Sequence, residues 1–131
     1  MPAKNHVKEF KRAQVLRAWN LSAETAGDVE NLIKRARLQL DTKKAIQIRH
    51  ALLAMTAKLA SALKKDIPPE EAIRFSNETL DALDNLSSML ESMVDIKDVD
   101  VNRLKVVVSR LKEIKKLLGA PIELNTSNLL S

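Results

Sequence analysis

Asp98-Val99-Asp100-Val101-Asn102 sets oxygen-bearing side chains at alternating positions, as a calcium loop does in its first half. The sixth position of such a loop needs glycine for its sharp turn and here holds Arg103. The twelfth needs a bidentate glutamate and holds Ser109. The segment suits helix capping instead, with Asp98 or Asp100 accepting from free backbone N–H groups. His50, in Ile48-Arg49-His50, is the other group with catalytic capacity. Five to seven residues before it stand Ala45, Lys44 and Lys43, with no arginine among them to hold phosphate charge. Lysine supplies charge without the bidentate fork. Asp81 and Asp84 share a helical face, an arrangement open to acid–base work but equally that of ordinary solvated acids. There is no cysteine, no glycine-rich phosphate loop and no Glu-x-x-His pair of the di-iron type. The expectation is a non-catalytic protein with no metal and no cofactor.

Elements that could position such groups are helices almost throughout. Gly occurs twice, aromatic residues are Phe10, Trp19 and Phe75 alone, and Leu, Ala, Lys and Glu dominate. A chain of 131 residues with 45% hydrophobic and 30% charged residues reads as one globular domain. The spacing predicts a first helix over Ala3–Trp19, a break at Asn20-Leu21-Ser22, and a second helix capped by Ser22 and running to Leu40. A third, over Lys43–Lys65, carries two apolar stripes: one through Ile48, Leu52, Met55 and Leu59, another through Ile46, Leu53, Ala60 and Leu63. That places it centrally. Pro68-Pro69-Glu70-Glu71 starts a fourth, because proline fits the first helical turn and acids there suit the dipole. It runs to Val94 with Ile73, Leu80, Leu83, Leu90 and Val94 inward. A fifth, Asn102–Leu118, turns Leu104, Val107, Leu111, Ile114 and Leu118 to the core and stops at Gly119 and Pro121. The fold class is all-α, an antiparallel bundle of four to five helices over residues 1–121. Residues 122–131 form a C-terminal tail, docked or frayed.

Charge distribution narrows the function. Residues 67–95 carry one base against seven acids, and residues 96–118 carry seven bases against three acids. RLKVVVSRLKEIKKLL, at 103–118, therefore has a basic face that the acidic preceding helix can complement, with a docking surface as the alternative. Residues 1–22 hold Lys4, Lys8, Lys11, Arg12 and Arg17 against Glu9. Lys4, Lys8, Lys11 and Arg12 fall on one helical face that Trp19 extends. Such a stripe could follow a phosphate backbone while the ring stacks on a base, or Trp19 could seal the bundle end. Lys43, Lys44 and Arg49 would join the stripe if the first and third helices pack with those ends together. A helix-turn-helix over Gln14–Leu32 is disfavoured, since Glu24, Asp28 and Glu30 would face phosphate.

The longest apolar run, Ala51–Met55, is far short of a membrane span, and the N-terminus has no secretory apolar core. The chain reads as cytoplasmic, with no membrane partner. The expected function is that of a helical-bundle interaction protein, an adaptor, regulator or inhibitor binding another protein. Met55, Met89 and Met93 could lend adaptable contacts in a groove between helices, or simply fill the core. The alternative is a nucleic-acid-binding protein using Lys4, Lys8, Lys11, Arg12, Trp19, Lys43, Lys44 and Arg49. Homo-oligomerisation is compatible with either.

Overall fold

The computed structural model describes residues 10–36, 40–96 and 99–119. Within them lie four α-helices, α1 (Arg12–Ala36), α2 (Thr42–Ala62), α3 (Pro69–Glu91) and α4 (Val101–Leu117), with one 3-10 turn, Ser92–Asp95, after α3. Each helix packs against two neighbours in the cyclic order α1, α2, α3, α4. The α2/α3 seam is the most extensive and the α3/α4 seam the thinnest. Short connections and cross-helix ion pairs make consecutive helices antiparallel, an up-down-up-down bundle. No strand occurs among the described residues. The four-to-five-helix expectation resolves to four.

The difference arises in α1. The expected break at Asn20-Leu21-Ser22 does not exist, and one helix continues through it. Ser22 is fully buried and its hydroxyl donates to the Trp19 carbonyl at 2.6 Å, while Thr25 donates to Leu21 at 2.7 Å. A serine that can satisfy itself on its own helix one turn back has no need to cap. The apolar period then runs on unbroken through Val15, Ala18, Val29, Leu32, Ile33 and Ala36. Gly27 sits on the outer surface with open space where a Cβ would lie. Segment 3–9 of the expected first helix lies outside the described residues.

The remaining helices start and stop for legible reasons. Asp41 accepts from the Lys43 N–H at 3.2 Å to cap α2. Pro69 occupies the first turn of α3, with Glu70 and Glu71 following. Asp100 accepts from the Arg103 N–H at 3.2 Å and caps α4, one of the two capping roles expected for that segment. Asp98 lies outside the described residues. Gly119 closes α4 at a φ of 78°, a left-handed conformation that a side chain would resist, and its N–H donates to Lys116. Pro121 and the tail 122–131 fall outside the described residues.

The core holds Leu32, Ile48, Met55, Leu59, Leu80, Leu83, Leu86, Leu90, Met93, Leu111 and Ile114, all essentially solvent-free. All five expected inward residues of α4 are buried. Two expectations fail. The second stripe of α2 is not a packing face along its length: Ile46, Leu53 and Ala60 are exposed and Leu63 is half-buried, and α2 is one corner of the bundle, with α1 and α3 as its neighbours. Val94 is exposed because the chain tightens into the 3-10 turn after Glu91, which carries Met93 inward in its place. No described helix is long and apolar enough to cross a membrane.

The reading of Ser22 makes a measurable difference. A capping serine lost to alanine costs about 1 kcal/mol; a mid-helix serine bonded to its own backbone costs little or nothing. Ser22→Ala is expected to leave the unfolding free energy from urea titration within about a few tenths of a kcal/mol of wild type. A loss near the capping value would restore a helix boundary at this position.

Candidate functional site

Three surfaces have the composition of contact sites, and all three follow from how the helices are paired. The first is a groove of about 470 Å³ between the end of α3 and the first half of α4, lined by Glu91, Val94, Val101, Leu104, Lys105, Val108, Ser109 and Lys112. It opens along the α3/α4 seam, the thinnest of the four. Val94 is 49% exposed and Val101 37%, so the floor meets solvent. Lys105 and Lys112 stand seven residues apart on one side of α4, and neither has an ion-pair partner among the described residues.

The charges beside this groove answer where the basic face of α4 goes. Lys115 pairs with Asp84 of α3 at 3.4 Å. Arg110 pairs with Asp28 of α1, Arg17 of α1 reaches Glu113 at 3.9 Å, and Arg103 turns back on Asp100 at 3.4 Å. Complementarity with α3 is thus one part of the answer and α1 takes another. Glu78 does not face α4. It bonds Lys58 of α2 at 2.6 Å and Arg74 on its own helix at 2.7 Å, and both cations lie over the Phe75 ring.

A second groove, also about 470 Å³, lies at the bundle end where α1 begins and α2 turns into α3. Phe10, Ala62, Ile67, Ala72 and Ile73 give it an apolar lining, with Arg12, Lys64, Lys65 and Asp66 at the rim. Asp66 holds a φ of 64° in the turn, a conformation that aspartate tolerates better than most residues.

The described residues of the candidate nucleic-acid stripe divide between this end and the far one. Lys11 and Arg12 are exposed at this end, and Trp19 lies two turns along α1, partly exposed. Lys43 and Lys44 are in the first turn of α2, beside the other end of α1. A helix of 25 residues separates the two groups by about 36 Å. The expectation that they meet depended on the break in α1. Arg49 is not available either: it forks onto Glu30 with bonds of 3.1 and 2.6 Å. Lys4 and Lys8 lie outside the described residues. Lys64 and Lys65 lie with Arg12 at the groove of this end. The signal for them was their position just before Pro68-Pro69, where a turn had to bring them back to the start of α1.

The third surface is the outer side of α1 and α2, where Leu16, Trp19, Ile46 and Leu53 are all exposed. His50 is exposed on α2, and no three metal-ligating side chains converge among the described residues. No family model, curated protein or solved structure matches this chain.

Two carboxylates carry a pH signature. Hydrogen bonds from Arg49 hold Glu30 below the usual carboxylate range, against an opposing effect of burial. Lys58, then Arg74, does the same for Glu78. A carboxyl with a lowered native pKa gives stability that is present above its unfolded pKa and lost as pH falls through the native one. Stability should therefore decline as the medium is acidified through and below the ordinary glutamate range. Glu30→Gln and Glu78→Gln should each flatten that decline in urea titrations followed by circular dichroism, and a slope unchanged in both variants would contradict the pairing.

Proposed function

We propose that this protein is a non-catalytic interaction module that holds a segment of a protein partner in the α3/α4 groove. The observation that supports the reading is the groove's make-up: Val94, Val101 and half-buried Val108 meet solvent over the buried Leu104, between walls of opposite charge. Glu91 stands on the α3 side, with Lys105 and Lys112 on the α4 side. A floor of this kind suits the apolar face of an amphipathic helix. Mixed walls suit a polypeptide, which can offer both signs, better than a phosphate backbone, which the acids of α3 would repel.

A displayed library of amphipathic helices tests this. The wild-type chain should enrich binders, and Val101→Asp with Val108→Asp should not. An aspartate at 101 falls in the first turn of α4, where negative charge suits the helix dipole, so the fold has no reason to suffer there. Circular dichroism checks that both proteins keep the same helical content. Equal enrichment by wild type and variant would remove the groove from the binding reading.

The nucleic-acid reading keeps one supporting observation, the gathering of Lys11, Arg12, Lys64 and Lys65 at the α2–α3 turn end. If these cations contact phosphates, changing all four to Ala should abolish most oligonucleotide binding and reduce its salt dependence by roughly one unit of slope per contact. Fluorescence anisotropy at two salt concentrations reads this. Wild-type protein without salt-sensitive binding would eliminate that function.

A further inference from the structure

We infer that the outer face formed by α1 and α2 docks on the surface of an anionic lipid bilayer. This rests on observations separate from the α3/α4 groove, which lies on the opposite side of the bundle. The Glu30–Arg49 pair bridges the α1/α2 seam and marks which edge of each helix meets the other. Residues at helical spacing from that pair share the outward face: Leu16, Trp19 and Ala23 on α1, and Ile46, Leu53 and Ala60 on α2. Asp28 and, one turn earlier, Glu24 fall instead toward α4, where Asp28 is paired with Arg110.

The large apolar residues of this face are well out in solvent. Leu16 is 47% exposed, Trp19 38%, Ile46 48% and Leu53 65%, four of the seven exposed large hydrophobic residues among the described residues. Gathered along one seam, they form a patch, not single scattered residues. Two helices lying side by side present it as a nearly flat sheet of side chains.

Charge selects the occupant. Among the described residues of this face Glu30 is the one carboxylate, and Arg49 neutralises it with two hydrogen bonds. Cations border both ends: Arg12 and Lys64 near Leu16, Lys34 near Ile46. An apolar patch with a tryptophan, flanked by Lys and Arg and free of uncompensated acid, is the composition of an interfacial helix on an anionic membrane. The aliphatic Leu16, Ile46 and Leu53 have nothing to offer a phosphate backbone, which stacks on aromatic rings. A second copy would bring the cationic ends of one face against those of the other. The expectation of no membrane partner rested on the length of apolar runs, and docking on a surface requires no spanning run.

Trp19 is the single tryptophan of the chain, so its emission reports on this face directly. The full chain would be mixed with vesicles of phosphatidylcholine alone and of phosphatidylcholine with phosphatidylglycerol. With the mixed vesicles the protein should co-sediment and Trp19 should shift to the blue, both effects weakening as salt rises. Leu53→Glu, at the most exposed position, should abolish both without loss of helical content. Replacing Arg12, Lys34 and Lys64 by Gln should weaken binding roughly fivefold per cation. Val101→Asp, in the opposite groove, should leave it unchanged. The inference is overturned by absence of both signals with the mixed vesicles, by equal binding to neutral ones, or by binding that survives Leu53→Glu. It is also overturned if Trp19 shifts with protein concentration alone, which would assign the face to a second copy, or only with an oligonucleotide.

Discussion

The length of the bundle is set by α1, and α1 is long because its polar interior residues need nothing from outside it. Ser22 and Thr25 point into a core that offers few acceptors, and each turns its hydroxyl onto a carbonyl of the preceding turn. Ser76 and Thr79 solve the same problem in α3, donating to Ala72 at 2.9 Å and to Phe75 at 2.8 Å. Burial without such partners would cost on the order of 1–3 kcal/mol per group. With α1 unbroken, α2 must begin at its far end, and every later placement of charge follows.

That placement separates the cations the sequence seemed to unite. Lys43 and Lys44 go with the end of α1, Lys64 and Lys65 return to its beginning, and Arg49 meets Glu30 in between. The bundle acquires two unlike sides. Along α3 and α4 acids and bases face each other across a partly open seam, closed at one point by Lys115 and Asp84. Among the described residues of the outer α1/α2 face the one carboxylate, Glu30, is paired with Arg49, and Leu16, Trp19, Ile46 and Leu53 stand exposed. Exposed ion pairs of this kind add little stability singly, so their effect is on what each side repels.

Much of the architecture was legible because single residues or strict periods fixed it. Pro68-Pro69 with two acids admits few readings other than a helix start, and the stripe from Leu104 to Leu118 keeps helical spacing without a gap. Ser22 was misread because a serine between apolar residues has the same local sequence whether it caps a helix or sits inside one. The deciding fact, its burial, belongs to the tertiary structure. The second stripe of α2 misled for a related reason: Ile46, Leu53 and Ala60 have the right period for burial, but a four-cornered bundle gives each helix only two neighbours. Val94 was lost to a change of helical pitch that hydrophobicity does not record. The candidate surfaces were the least legible part, since each is made by residues from two helices and depends on which ends lie together.

The pairing of α1 with α4 has a consequence for the order in which the chain can become ordered as it is synthesised. Arg110 and Asp28 are 82 positions apart, yet they join neighbouring helices. The α2/α3 hairpin, with the largest seam and a short turn, can close early from local contacts. The side of α1 that carries Asp28 has no cover until α4, the last described helix, has left the ribosome. During that interval the nascent chain exposes apolar surface that the finished bundle hides, and it is then that a chaperone would find something to hold.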